Sequence, residues 1–411
     1  MNKKYLWNTL AGLINASEAV ILSIVITRTN GLTDAGILSI AFAIGNLMLS
    51  IGKFGVRTFQ VTDVNQVFSF SDYFWTRIIT CSFMVVTVII YLSYCVFYKG
   101  YDTAKVVVII LMCSIFLTEA IEDVFWGLYQ SRDAIEKGAR IFAFRWIFTL
   151  LGISAVLIAA HNLLLAMIAG LIITILCSAL FTIKVFPAFQ ERIRRAAFPK
   201  CRMIIRQCFP LFAVAFMTFY VSNAPKYAID RYMTAEIQAC YGFIAMPVFA
   251  IELLNGFIYQ PTLVQTATEW NNKEYGSFLK RVKMQCCIII ALTVVCISGA
   301  ALLGIPVLSL VYNTDLSAYK TELLILLLGG GFLAFVGYFF VILTTMRKQK
   351  NIMCGYLFVS IVAFLLSNTF VRNWGVTGAA VLYMVLIFLL SLIFAGMFLY
   401  EWKKVTVSHP V

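Results

Sequence analysis

Charge is scarce in this chain. Only 12% of its 411 residues are Asp, Glu, Lys or Arg, while 62% are hydrophobic and the mean hydropathy is +0.91. Soluble domains carry about twice that share of charge, so the composition excludes one and leaves a polytopic membrane protein. Histidine occurs twice, at His161 and His409, too far apart to suggest a metal site. The eleven cysteines are scattered through apolar segments without paired metal spacing. They read as small packing residues in a chain that needs no disulfides, and no metal or cofactor is expected. No G-x-x-x-x-G-K phosphate loop followed by Ser or Thr appears, so no nucleotide motor is visible.

What the sequence does have is apolar runs. Crossing ~30 Å of hydrocarbon takes a helix of about 20 residues, and twelve segments qualify: 7 to 28, 35 to 55, 74 to 98, 105 to 129, 141 to 160, 163 to 186, 208 to 229, 237 to 262, 286 to 311, 322 to 345, 352 to 372 and 376 to 400. The first is read as a retained span. Asn8, Asn15 and Glu18 interrupt it, and no small-x-small cleavage site follows. Loops that alternate sides differ in basic residues. Seven cations (Arg28, Lys99, Lys105, Lys226, Arg231, Lys320 and Arg372) fall on one side, and the other 25 of the 32 Lys and Arg fall on the side holding both termini. Positive charge stays inside, so both termini are expected to face the cytoplasm. The net charge of +13 is thereby accounted for as topology and attraction to anionic membrane lipid, and no nucleic-acid partner is implied.

The expected loops on the outer side are short, which argues against an enzyme such as a membrane-embedded glycan polymerase or ligase, since that would set its catalytic groups in a sizeable external loop. The midpoint segment "FQERIRRAAFPKCRMIIRQ", residues 189 to 207, is expected to be a basic amphipathic helix on the inner leaflet. It would link an N-terminal six-helix lobe, residues 1 to 188, to a C-terminal one, residues 208 to 411. Repetition supports two halves. Ile26-Thr27-Arg28 falls on Ile229-Asp230-Arg231, and "HNLLLAMIAG" on "RNWGVTGAAV", at similar offsets. This suggests parallel repeats related by an axis along the membrane normal.

Ionisable residues within spans are costly, by about 2.5 to 3.5 kcal/mol each, and usually face a cavity, a partner or the interface. In span 2, Asn46, Ser50, Lys53, Arg57 and Gln60 follow helical spacing. Lys53 and Arg57 either line a cavity or snorkel at the membrane edge. In span 4, Glu119, Glu122 and Asp123 share a face, with Trp126 one turn on. Three carboxylates cannot all ionise cheaply in one apolar patch, so they hold a proton or sodium ion, or meet a cation such as Arg132 or Arg145. In span 7, Asn223, Lys226 and Asp230 share a face beside Pro225, which breaks the helical hydrogen-bond ladder, with Lys226 either binding an anion or snorkelling paired with Asp230. Glu252, Asn255 and Tyr259 form a polar stripe in span 8. Gly329, Gly330, Gly331 and Gly337 read as helix-packing positions.

The letters "LINASEAVILSIVITR" in span 1, "SNAPKYAID" with "YGFIAMPVFAIELLNGFIYQPTLV" in spans 7 and 8, and "GVTGAA" before span 12 resemble the Wzx-like flippases of lipid-linked oligosaccharides. These belong to the multidrug/oligosaccharidyl-lipid/polysaccharide (MOP) exporter superfamily. The resemblance covers nearly the whole chain and is densest between Pro210 and Pro261. It implies an all-α, two-lobed bundle of twelve transmembrane helices with alternating access. The implied substrate is a polyprenyl-pyrophosphate-linked sugar repeat unit for surface polysaccharide, and other polysaccharide-assembly proteins are implied partners. On that reading Lys53, Arg57, Arg145, Lys226 and Arg231 contact phosphate or sugar acids, and Asn223, Asp230 and Asn255 complete the polar contacts. The alternative is a cation-coupled multidrug exporter built on carboxylates, for which Glu18, Glu119, Glu122 and Asp123 are the proton- or sodium-coupling candidates. A structural ion-pair role for the span 4 carboxylates is the competing reading.

Overall fold

The computed structural model describes residues 3 to 63, 65 to 195 and 198 to 408, so His409 and two residues of the expected linker helix lie outside it. All regular structure among the described residues is helical. The chain divides into two compact units, Met1–Phe219 and Tyr220–Val411.

The first unit opens with α1 (Lys3–Thr29), α2 (Leu32–Lys53) and the short α3 (Val56–Thr62). It continues with α4 (Phe70–Lys99), α5 (Thr103–Ser131), α6 (Ile135–Ala160), α7 (Leu163–Val185) and the start of α8 (Phe198–Tyr232), within which the boundary between units falls. Helix ends follow local chemistry. Ser69 and Asp72 form a reciprocal capping box at the start of α4, and Asn162 caps α7 by accepting from the Leu165 N–H at 3.0 Å. Helix α2 is buried along nearly its whole length and packs on α4 and α5, while α6 packs on both α1 and α7.

The second unit contains α9 (Ala235–Ala245), α10 (Val248–Tyr259), α11 (Leu263–Asn271), α12 (Tyr275–Gly299), α13 (Ile305–Tyr312), α14 (Lys320–Thr345) and α15 (Gln349–Ser408). A π-helical turn, Ala300–Gly304, joins α12 to α13 as one span. Predicted span 8 is divided at Met246 and Pro247 into α9 and α10. Helix α14 packs on α10, α12 and α15, and its three successive glycines each admit a different neighbour. A side chain would meet Tyr383 at Gly329, Val248 at Gly330 and Thr293 at Gly331, as the packing reading expects.

Helix α15 has 60 residues, about 90 Å at 1.5 Å per residue and so far longer than a bilayer is thick. It is two antiparallel spans. Gly375 breaks it at φ 57, ψ −135, a conformation that suits glycine. Tyr356 then packs on Phe394 with ring centroids 5.5 Å apart, residues nearly equidistant from the break. Counting α15 as two raises the eleven membrane-length helical segments among the described residues to twelve, and the chain is a multi-pass membrane protein.

Three expectations are corrected. Residues 191 to 195 are not helical, because α4 holds their backbone: Ser71 Oγ donates to Arg192 O and accepts from Arg194 N, both at 3.0 Å, and Trp75 Nε1 donates to Arg194 O at 2.9 Å. The next described helix, α8, opens at Phe198. The span 2 stripe is not one helical face, since left-handed Phe54 and Gly55, at φ 46 and 69, end α2 and begin α3. In span 7, α8 runs unbroken through Pro225, although the missing N–H leaves the Val221 carbonyl without its helical donor.

Candidate functional site

Within the first unit, α1, α2, α3, α4, α5 and α6 bring eight charged side chains together. The sequence placed Glu119, Glu122 and Asp123 on one face of α5; the structure supplies their partners from residues far away in the chain. Lys53 Nζ donates to Glu119 Oε1 at 2.8 Å. Arg145, from α6, donates from Nη2 to Glu119 Oε2 at 3.1 Å and from Nε to Glu122 Oε2 at 2.9 Å. Trp146 Nε1 adds a third donor to Glu119 at 3.1 Å.

Arg77 of α4 bridges two elements, donating to Asp123 Oδ2 at 2.7 Å and to the Gly52 carbonyl at 2.6 Å. Arg57 reaches Asp123 Oδ1 from the other side at 3.4 Å. Its Nε and Nη2 donate to Gln130 Oε1 at 3.2 and 2.8 Å, and its guanidinium lies 3.9 Å from the Trp126 ring centroid. Glu18 of α1 lies within electrostatic reach of Glu119, Arg145 and Lys53. It is 5% exposed, and its Oε2 has no hydrogen-bond partner among the described residues.

Four carboxylates thus meet four cations. Isolated ions would be expensive in this apolar setting, and mutual pairing is what makes their burial tolerable, although Arg77 Nε, Glu122 Oε1 and Arg145 Nη1, like Glu18 Oε2, have no hydrogen-bond partner among the described residues. The burial is uneven. Arg77 and Arg145 are fully enclosed, and the Glu119, Glu122 and Asp123 side chains are 4 to 8% exposed, whereas Lys53 keeps 36% and Arg57 25% of its side chain open. The accessible edge of the cluster is therefore cationic.

Arg132, expected as a possible partner of the span 4 carboxylates, instead pairs with Glu191 at 2.8 Å near the surface. The upper residues of the expected span 2 stripe bind their own helix: Asn46 Nδ2 donates to Phe42 O and Ser50 Oγ to Leu47 O. Arg77, Trp146 and Gln130 were not anticipated. An arginine three residues inside a predicted span was the available signal for Arg77, but in a count by loops it passes for a flanking cation.

The remaining sequence candidates lie in the second unit. Asn223, Lys226 and Asp230 share the last turns of α8, followed by exposed Arg231, whose guanidinium is 5.5 Å from the Tyr232 ring. Lys226 is half-buried and forms no hydrogen bond or ion pair among the described residues, so the expected snorkelling pair with Asp230 is not formed. Asn255 stands apart on α10, fully buried, accepting from Gln285 Nε2 at 2.5 Å and donating to the Ala334 carbonyl at 3.3 Å. Of its predicted stripe-mates, Glu252 lies against Gly337, and the Tyr259 ring packs on Tyr338 with centroids 5.6 Å apart.

No protein-family model matches the chain, and no curated protein does. Solved structures do. An inward-facing multidrug resistance MATE family transporter of the MOP superfamily superposes with a TM-score of 0.72 at 10% identity, over 96% of both chains. The lipid II flippase MurJ, in an inward closed conformation, gives 0.73 at 13% identity over 98% of this chain and 90% of its own. The Vibrio cholerae MATE transporter VcmN, in its bent form, gives 0.62 at 10% identity over 98% and 97%. At these identities the likeness is one of fold: the chain has the all-α fold of the MATE and MurJ transporters.

Proposed function

We propose that the chain is a secondary transporter, a flippase that moves a polyprenyl-pyrophosphate-linked oligosaccharide repeat unit across the bacterial cytoplasmic membrane, with both termini cytoplasmic. The observation that carries this reading is the cationic edge of the first unit's cluster. Lys53 and Arg57 are its accessible charges, while the neighbouring carboxylates are enclosed behind them. A pyrophosphate would meet an ammonium and a planar guanidinium, donors suited to its oxygens. An organic cation would meet like charge first.

Lys53, Arg57, Arg145, Lys226 and Arg231 are assigned to phosphate or sugar-acid contact. Arg145 is enclosed in the state described, so its part requires rearrangement of its two carboxylate bonds. Asn223, Asp230 and Asn255 are assigned polar contacts. Proton or sodium coupling is assigned to Glu18, Glu119, Glu122 and Asp123, foremost Glu18 and Glu122, each of which has a buried oxygen with no hydrogen-bond partner among the described residues. The MurJ likeness supports a lipid-linked substrate, and other polysaccharide-assembly proteins are its natural partners. The same Glu18 oxygen, with the MATE likeness, supports the second reading, a cation-coupled multidrug exporter.

The two readings separate in proteoliposomes. Leaflet transfer of a fluorescent lipid-pyrophosphate oligosaccharide, without efflux of an organic cation dye, is expected. Dye efflux without lipid transfer would overturn the flippase assignment in favour of the exporter.

A further inference from the structure

Where α4 begins, the first unit carries exposed arginines that the transport site does not use. Arg192, Arg194 and Arg195 stand on the non-helical segment that α4 holds, and Arg202 and Arg206 follow in the first turns of α8. None of these five guanidiniums makes a hydrogen bond or an ion pair among the described residues. The one carboxylate in residues 189 to 207, Glu191, is taken by Arg132 at 2.8 Å. The one on α4, Asp72, closes its capping box and meets Lys200 Nζ at 3.5 Å.

The arginines are set on a fixed backbone. Ahead of them, Phe186 packs on Phe70 and Phe125 with centroids 5.4 and 5.3 Å apart, and Phe189 on Tyr129 at 4.8 Å. The three hydrogen bonds from Ser71 and Trp75 then hold the chain at Arg192 and Arg194. Beyond, Cys201 Sγ donates to the Asp72 carbonyl at 3.8 Å, and Cys201, Ile204 and Cys208 bury one face of α8. Membrane topology asks for cations on one side of the bilayer but not for a backbone bolted under them. Donors fixed in advance lose less freedom when they bind.

The surroundings match a lipid surface. Trp75 lies in the second turn of the membrane-length helix α4 and is exposed, as interfacial aromatic residues are. Ile193, Phe198 and Met203 are exposed among the arginines. Apolar side chains interleaved with guanidiniums at the end of a span suit the boundary between headgroups and acyl chains, and a guanidinium suits phosphate oxygens. A soluble acidic partner would have no use for the apolar members.

We propose that Arg192, Arg194 and Arg195, with Arg202 beyond them, form a preformed site for the headgroups of anionic phospholipids. The site is separate from the transport reading and does not depend on it.

The test is native mass spectrometry of the full chain in detergent, titrated with phosphatidylglycerol or with phosphatidylcholine of the same acyl chains. Phosphatidylglycerol adducts should exceed phosphatidylcholine adducts by about tenfold or more, since each arginine near an anionic lipid surface contributes roughly fivefold. Arg192→Gln, Arg194→Gln and Arg195→Gln together should cut that preference by at least about fivefold. Lys273→Gln, Lys280→Gln and Lys283→Gln together remove the same charge from exposed positions of the second unit and should leave it in place. Ser71→Ala keeps every charge but releases the Arg192 carbonyl and the Arg194 N–H, and it should lower the preference part-way. Equal binding of the two lipids by the unaltered protein, a first-unit triple variant that loses no more than the second-unit one, or full preference in Ser71→Ala would overturn the proposal. Displacement of phosphatidylglycerol by an equal concentration of glycerol phosphate, which has the charge without the acyl chains, would overturn the assignment to a lipid.

Discussion

Arg77 is the charge whose loss should be felt most. It is fully buried, and truncation to Met removes the 2.7 Å bond to Asp123 and the 2.6 Å bond to the Gly52 carbonyl. The carbonyl keeps a partner, since Thr80 Oγ1 donates to it at 2.8 Å. Asp123 is left with Arg57 at 3.4 Å, a longer contact to a side chain already shared with Gln130. Removing one member of a buried pair costs about 3 to 5 kcal/mol, and because Asp123 keeps one cation the lower end is expected, ~3 kcal/mol. That is a factor of roughly 150 in the folding equilibrium. Asp123→Leu added to Arg77→Met removes the orphaned charge and should recover about 2 kcal/mol, a coupling that a double-mutant cycle isolates. The assay is reversible unfolding in mixed micelles followed by tryptophan fluorescence. An Arg77→Met cost below about 1 kcal/mol, or additive single variants, would refute the claim that this pairing holds α4 to α5.

Other outcomes follow from single features. Lys226→Met removes a side chain without a described partner, so stability should stay within about 0.5 kcal/mol of the unaltered protein while leaflet transfer is lost; retained transfer would remove Lys226 from the substrate path. Gly375→Ala should cost about 1 to 3 kcal/mol, because its φ and ψ are strained for any side chain; thermal unfolding of the purified variant measures it. Glu269, on the short helix α11, accepts from Arg281 Nε at 3.0 Å and Nη2 at 2.5 Å, and those hydrogen bonds hold its carboxyl below the usual range. A carboxylate depressed in the folded state adds stability that is present above its unfolded value of about 4.3 and is lost as pH falls through the folded one. The acid limb of the stability profile should therefore flatten in Glu269→Gln, and an unchanged limb would show that the pair adds nothing.

The twelve spans were legible because length and hydropathy alone decide them, and even the divided α15 was anticipated, since polar "RNWG" interrupts two apolar runs. The i, i+3, i+4 spacing of Glu119, Glu122 and Asp123 correctly gave one face. Spacing fixes which side chains share a face but not what faces them, so only Arg145 of their cationic partners was anticipated. Lys53, Arg57, Arg77 and Arg145 all entered the loop count as flanking cations; without them the asymmetry is still 21 against seven. The break at Phe54 and Gly55 was hidden because a left-handed phenylalanine has no compositional signature. Residues 191 to 195 of the expected linker helix are not helical because their backbone hydrogen bonds are made to Ser71 and Trp75 of α4, a tertiary competition that amphipathic spacing does not record, whereas residues 198 to 207 are helical as expected.

In the proposed flippase, the cationic edge formed by Lys53 and Arg57 would receive the anionic headgroup. Lys53→Met combined with Glu119→Gln removes one cation and one carboxylate together, preserving the charge balance of the cluster. The decisive measurement is the rate of leaflet transfer, in proteoliposomes, of a lipid-pyrophosphate oligosaccharide by this folded double variant. Loss of one charge-assisted contact of about 1.5 to 3 kcal/mol predicts a rate lower by roughly tenfold or more. Transfer at the unaltered rate would contradict the assignment of Lys53 and the cationic edge to substrate recognition.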